Sequence, residues 1–132
     1  MLKRIGFCLA LALCALALGN GPAAAQQQDI KRTIFQKSDV PGSNYEAVFG
    51  MAEIAPNAKV ALHTHPGNES SYVVAGSLTL QVQGQPAREV NAGEAMFVPA
   101  NTPHGGQAGP SGAKILATWV VEKGKPLATP VK

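Results

Sequence analysis

The stretch HTHPGNESSYVVAG, residues 63–76, holds two of the three histidines in the chain. His63 and His65 are two residues apart, so on a β-strand both imidazoles leave the same face, because strand side chains alternate. Residues 66–68, Pro-Gly-Asn, are typical turn residues and predict a bend that returns the carboxylate of Glu69 to the imidazoles. The stretch therefore offers two nitrogen ligands and one oxygen ligand at one point.

The third histidine ends a second stretch, GEAMFVPANTPH, from Gly93 to His104. His104 follows an apolar run and two prolines, which predict a rigid loop that brings a third imidazole to the same point. Three neutral nitrogens and one carboxylate, without a thiolate, suit one divalent transition metal: iron, manganese, nickel, copper or zinc. The predicted metal ligands are His63, His65, Glu69 and His104, and a six-coordinate ion would keep two open positions.

The spacing of these residues resembles the paired motifs of the cupin superfamily. His-x-His-x3-Glu-x6-Gly is met by His63, His65, Glu69 and Gly76, and Gly-x5-Pro-x4-His is met by Gly93, Pro99 and His104. The resemblance implies an all-β, single-domain fold, a jelly-roll β-barrel or sandwich over residues 46–122. It also implies that these four side chains hold a metal near the barrel mouth.

Three positions depart from the cupin pattern. Asn57 and Asn101 stand where glycine is usual, and Ala108 stands where asparagine is expected. Asparagine adopts positive φ more readily than other non-glycine residues. We therefore expect the turns at positions 57 and 101 to form, and no ligand is affected.

The N-terminal residues 1–25 are typical of a secretory signal peptide, with a short basic start, an apolar run and an Ala-Ala-Ala cleavage site before Gln26. The apolar run is shorter than the roughly 20 residues of a membrane span, so a retained anchor is the weaker alternative. Cleavage predicts a periplasmic or secreted protein that no longer contacts the membrane. It would also remove both cysteines, Cys8 and Cys14.

The charge of the mature chain argues against nucleic acid as a partner. Loss of Lys3 and Arg4 lowers the count of basic residues from 11 to 9, against 8 acidic residues, and no basic stripe is left. A small-molecule ligand or substrate is the expected partner. Because a small core buries a smaller share of its surface, we also expect a homodimer that pairs through a sheet face.

Strand-like runs alternate with turn residues after position 31. Residues 26–45 are predicted to be a polar leader and first strand (33–36), and residues 123–132 a tail that either straps the barrel or trails free. Further strands are predicted at 45–54, 59–65, 87–90, 94–98 and 114–121, with a hairpin around Gly76 that joins 71–75 to 77–82. Ala61 is expected on the face of the imidazoles, and the glycine-rich residues 105–106 and 109–112 are predicted loops.

The expected function is that of an exported mononuclear metal protein. An oxygenase that acts on a small metal-chelating substrate is the main interpretation, and a non-catalytic binder or a metal-dependent lyase or isomerase is the alternative. Since every histidine is a ligand, acid–base catalysis falls to Glu69 leaving the metal, to Tyr72 or to a metal-bound hydroxide. Tyr72 is alternatively a structural aromatic residue.

The walls of the site are expected to be apolar, and no carboxylate clamp is assigned to Arg32 or Arg88. The candidate wall residues are Leu80, Val82, Met96, Phe97 and Trp119. Each is alternatively core packing, and Trp119 is the candidate for stacking on an aromatic ligand.

Overall fold

A computed structural model of the protein describes residues 29–132. They form eight β-strands: β1 (Ile30–Asp39), β2 (Tyr45–Ile54), β3 (Lys59–Thr64), β4 (Gly67–Val82), β5 (Arg88–Asn91), β6 (Ala95–Val98), β7 (His104–Glu122) and β8 (Thr129–Pro130). The predicted all-β jelly-roll fold is confirmed. Within this range, no helix is long and apolar enough to cross a membrane. The predicted signal peptide lies outside the described residues.

Two long strands organise the sheet. All pairings are antiparallel, in the order β1-β2-β7-β3-β8, and β4 pairs in addition with β5, β6 and β7. The first part of β7 pairs with β3, whereas its last part pairs with β2, and β4 pairs with both parts. The two long strands therefore carry residues from one end of the barrel to the other.

Side chains alternate between the interior and the surface along the central strands. In β4, residues 67, 69, 71 and 73 are buried while residues 68, 70, 72 and 74 are exposed. In β7, residues 115, 117, 119 and 121 are likewise buried. This period of two is that of a sheet with one buried face. Two buried apolar clusters result, and the smaller one contains Val48, Ala117, Trp119 and Val121.

The predicted hairpin at Gly76 is wrong, because β4 continues through this residue. Both flanking segments pair with β7 instead of with each other, and the register shifts on either side of the glycine. Gly76 has a φ of +73°, and a Cβ atom there would lie 2.0 Å from the carbonyl oxygen of Gly112. Glycine thus allows a bend within a paired strand and a close approach of β7.

The predicted glycine-rich loops after His104 are also wrong, since residues 104–122 form the single strand β7. A Cβ atom on Gly106 would lie 2.2 Å from the carbonyl oxygen of Thr79 in β4. The glycines at 105 and 106 serve close strand packing, and this segment is not a free loop at the site.

Asn57 and Asn101 have φ angles of 60° and 57°, and they are the non-glycine residues with positive φ in the part of the chain that the structure describes. The prediction that asparagine allows the turns at positions 57 and 101 is confirmed. At the third departure, Ala108 is 3% exposed and packs in the larger apolar cluster.

Both ends of the described chain join the sheet. Strand β1 begins at Ile30, earlier than the predicted start at position 33, so Arg32 is a strand residue. The C-terminal tail straps the barrel: β8 pairs with β3, and the amide of Val131 donates to the carbonyl of Leu62. The C-terminal tail therefore lies next to β3, the strand that carries His63, whereas β1 pairs with β2.

Candidate metal centre

The structure brings the three predicted imidazole ligands together. His63 lies near the end of β3, His65 directly follows that strand, and His104 begins β7 opposite His63. The ring centroids of His63 lie 4.8 Å from His65 and 4.3 Å from His104, and those of His65 and His104 are 5.0 Å apart. One nitrogen from each ring lies within 4.8 Å of the other two. Because β7 begins at His104, this histidine is a strand residue and not part of the predicted rigid loop.

A bulge in β3 determines which side chains accompany the imidazoles. The register of β3 with β7 shifts between Val60 and His63. The shift turns Val60 into the cavity with His63, whereas Ala61 is exposed. The expectation that Ala61 shares the face of the histidines is wrong, because simple alternation does not continue through a bulge.

Backbone carbonyls orient each imidazole through Nδ1. His63 Nδ1 lies 2.8 Å from the carbonyl oxygen of Ala61, and His104 Nδ1 lies 2.8 Å from that of Thr102. His65 Nδ1 makes the same kind of contact with the carbonyl oxygen of Leu127 in the C-terminal tail. A carbonyl only accepts, so each Nδ1 carries the proton and donates it. In the neutral ring, Nε2 then presents its lone pair, as metal-binding histidines do.

Glu69 completes the group of four predicted ligands. Its Oε2 lies 2.9 Å from Nε2 of His65 and 3.3 Å from Nε2 of His104. Ser71 Oγ donates to Oε1 at 2.6 Å, and Trp119 Nε1 donates to Oε2 at 3.0 Å. Glu69 lies within β4 and not after a turn at residues 66–68, because β4 begins at Gly67. Its place on the buried face of that strand aims the carboxylate at the imidazoles.

The polar atoms at the centre of this group fit a cation. The Nε2 atoms of His65 and His104 are buried without a hydrogen-bond partner, even though the Glu69 oxygen is close. With neutral rings, two lone pairs face a carboxylate oxygen, which is unfavourable unless a positive charge lies among them. A divalent transition metal held by the three imidazoles and the carboxylate would supply that charge.

The ionisation of the group agrees with this donor set. Burial raises the pKa of Glu69, but contacts with His104, His65 and Ser71 outweigh it and hold the pKa well below its usual value. Burial is the main cause that lowers the pKa of His63 to about 4, and the neighbouring histidines contribute. Burial alone would lower the pKa of His104, but Glu69 and the Thr102 carbonyl raise it. The Glu69 carboxylate therefore favours the charged form of His104 and offsets the effect of burial.

The imidazoles and Glu69 line one small cavity of about 70 Å³. Its remaining walls are mostly apolar and include Ile54, Leu78, Leu80, Met96, Ile115 and Trp119. Of the predicted wall residues, Val82 is buried but does not line this cavity, and Phe97 is 57% exposed. Trp119 lines the cavity, is only 2% exposed and donates through its indole to Glu69, and its stacking on an aromatic ligand stays a prediction.

Tyr72, the other catalytic candidate from the sequence, lies away from the imidazoles, as does Arg88, to which the sequence assigned no role at the site. Tyr72 is 47% exposed and lies on the face of β4 opposite to Glu69 and Ser71. Arg88 is exposed and donates to the carbonyl oxygen of Ala95. The structure thus does not bring Tyr72 to the predicted metal ligands.

Sequence reasoning missed three contributors to the site. Ser71 lies two residues after Glu69. The alternation of side chains along a strand could therefore have placed both on the same face. The carbonyl of Leu127 lies 62 residues from His65, and no sequence signal marks it. Arg32 lines the cavity from β1, and the late predicted start of that strand concealed it.

Comparison with known proteins places the fold and the site in context. A model of the cupin domain matches residues 50–121. The dimethylsulfoniopropionate lyase DddW of Ruegeria pomeroyi is 33% identical over 70 residues, which cover 53% of this chain and 45% of DddW. The chain therefore spans less than half the length of this relative.

Solved structures show the same fold. The crystal structure of DMSP lyase DddQ from Ruegeria pomeroyi matches with a TM-score of 0.70 at 17% identity, covering 82% of this chain and 54% of DddQ. The polyketide cyclase RemF from Streptomyces resistomycificus matches with a TM-score of 0.60 at 29% identity, covering 80% of this chain and 72% of RemF. The domain match covers more than half of the chain, so this protein belongs to the cupin family.

Proposed function

We propose that this protein is a metal-dependent lyase that acts on a small molecule. The observation that carries the proposal is the convergence of three imidazole nitrogens and Glu69 in one small apolar cavity. The resemblance to the lyase DddW supports elimination chemistry in preference to the oxygenase predicted from the sequence. Dimethylsulfoniopropionate is therefore the first substrate to test.

A bound divalent metal would polarise an oxygen atom of the substrate. Elimination also needs a base that takes a proton from carbon, while the electron pair of that bond forms the double bond and the leaving group departs. Besides the histidines, Glu69 is the titratable acid that lines the cavity. Both oxygens of Glu69 accept a hydrogen bond, Oε1 from Ser71 and Oε2 from Trp119, and Oε2 lies beside the imidazoles, so in this proposal Glu69 would act as the base after its carboxylate leaves the metal.

The test is a comparison of metal-loaded protein with protein treated with a chelator. Elimination from dimethylsulfoniopropionate releases dimethyl sulfide and leaves an unsaturated carboxylate, and both are measurable by gas chromatography and NMR. We expect turnover that depends on the metal and is lost in Glu69→Gln. Oxygen uptake on diketones or catechols without elimination would replace the lyase by the oxygenase. Bound metal with neither activity would favour a non-catalytic binding protein.

The assembly we propose is a homodimer through the outer face of the sheet. Strand register places Phe49, Thr118, Ser70 and Phe97 in one row across four strands. Phe35 is 52% exposed and packs on Phe49 with ring centroids 5.7 Å apart. Exposed aromatic residues grouped in this way favour contact with a second subunit. Light scattering of the mature protein and of Phe49→Glu tests the dimer, which the variant should weaken.

The expected location is the periplasm or the exterior of the cell. This part of the proposal depends on residues 1–25 alone, and expression of the full chain with fractionation of the cell tests it. A mature N-terminus at Gln26 in the exported fraction is the expected result. Retention of the whole chain in the cytoplasm would contradict it.

A further inference from the structure

Arg32 lines the same cavity as the predicted metal ligands. It lies on β1 and pairs with Ala52 of β2, and both residues line the cavity together with Ile30 and Ile54. The residue as a whole is exposed. Arg32 therefore lies where the cavity meets solvent.

Trp119 links this arginine to the ligands. The guanidinium carbon of Arg32 lies 5.4 Å from the centroid of the indole ring. The same indole donates to Glu69 Oε2, and its ring centroid lies 5.8 Å from that of His65. A planar guanidinium over an aromatic ring is restrained in orientation, while its N–H groups at the edge stay free to donate. One indole thus separates a positioned cation from the metal ligands.

The guanidinium has no anionic partner of its own. Within residues 29–132, no carboxylate lies at ion-pair distance from Arg32 and no acceptor takes a hydrogen bond from its side chain. Five surface lysines, by contrast, are each paired with an acidic residue: Lys31, Lys37, Lys114, Lys123 and Lys125. Arginine presents five N–H donors in a fork that matches a carboxylate. Its donors at the cavity are therefore available to a ligand.

We propose that Arg32 forms a carboxylate-binding subsite beside the metal centre, which selects a small monocarboxylate as the ligand. Glu69 offsets only one of the two charges of a divalent metal, so the cavity with Arg32 would carry excess positive charge that an anionic ligand balances. The inference rests on the proposed function only in taking this ligand to be the substrate. Binding itself requires no turnover.

The experiment is a titration of the cobalt-loaded protein with propionate and with its neutral counterpart propionamide. Calorimetry measures affinity, and the visible spectrum of cobalt reports changes at the metal. We expect propionate to bind more tightly than propionamide. Arg32→Gln should weaken propionate on the order of tenfold or more, the size of a lost charge-assisted contact, and leave propionamide unchanged. Arg32→Lys should recover part of the loss, because it keeps the charge but not the fork.

Arg88→Gln is the matched control, because Arg88 lies away from the cavity, and it should bind propionate like the unaltered protein. Equal propionate affinity in Arg32→Gln, with a normal melting temperature and cobalt content, would overturn the subsite. The absence of any propionate binding by the unaltered protein would overturn it as well. If Arg32-dependent binding is found without turnover, only the lyase proposal fails. If turnover is found and Arg32→Gln does not change its KM, only the subsite fails.

Discussion

The indole nitrogen of Trp119 donates a hydrogen bond to Oε2 of Glu69, the same oxygen that lies 2.9 Å from Nε2 of His65. Both side chains are buried, with Trp119 at 2% and Glu69 at 8% exposure. Together with Ser71 on the other carboxylate oxygen, this bond fixes the direction of Glu69. Trp119 therefore acts as a positioning residue for a predicted metal ligand.

Removal of the indole donor should weaken metal binding. In Trp119→Phe the ring is largely kept but Glu69 Oε2 loses its donor, so we expect a loss of metal affinity of about 10-fold or more. Competition with a chromophoric chelator measures it. Ser71→Ala should have a similar effect through Oε1. Unchanged affinity in both variants would mean that strand geometry alone orients Glu69.

Loss of a single imidazole should abolish stoichiometric metal binding. His63→Ala removes one of three convergent nitrogens, and the metal should then no longer raise the melting temperature, because a ligand stabilises only the state that binds it. Elemental analysis and a thermal melt with and without metal provide the measurement. Arg88→Ala is the control and should retain both properties. Full metal content in His63→Ala would contradict the four-ligand site.

Tyr72→Phe should leave metal content and turnover unchanged within about twofold. The hydroxyl lies on the outer face of β4, away from Glu69. A general acid or base would instead contribute about 100-fold or more to the rate. Steady-state kinetics of the metal-loaded variant decide between these outcomes, and a loss of that size would restore Tyr72 as a catalytic candidate.

Acid should weaken metal binding from a pH above the ordinary histidine range. In the metal-free protein the pKa of His104 is raised, and a protonated ring has no lone pair at Nε2 to bind a metal. Affinity should therefore fall by about tenfold per pH unit below that pKa, because one proton competes with the metal. His63, with a pKa of about 4, should contribute no further loss until much lower pH. Titration of the apparent Kd against pH tests this, and a flat profile between pH 5 and 8 would contradict it.

The C-terminal tail should contribute to metal affinity. Deletion of residues 126–132 removes the carbonyl that accepts from His65 Nδ1 and removes β8, so we expect metal to bind at least about 10-fold more weakly. Leu127→Ala is the matched control, because it keeps the backbone carbonyl. Equal affinity in the deletion and the control would show that the tail does not orient His65.

The three histidines that converge in the structure were predictable as candidate metal ligands because the residue spacing within each motif is characteristic. His63 and His65 are near neighbours, and the two motifs carry the remaining ligands at characteristic intervals. The turns at Asn57 and Asn101 depend on the φ preference of a single residue type, and strand β2 ends at Ile54, just before the turn residues Pro56 and Asn57. Each of these features is decided within a few residues of the chain.

Pairing between strands that are far apart in the chain decided the features that the sequence did not predict. Whether Gly76 ends a hairpin or bends a strand depends on the partner of each flanking segment, and both pair with β7. The bulge that replaces Ala61 by Val60 in the cavity depends on register with β7. The contacts of Trp119 with Glu69 and of Leu127 with His65 join residues 50 and 62 positions apart. Sequence chemistry thus determined which atoms can bind a metal. Only the tertiary structure decided how those atoms are oriented and that Arg32 lies beside them, because strand pairing depends on residues far apart in the chain.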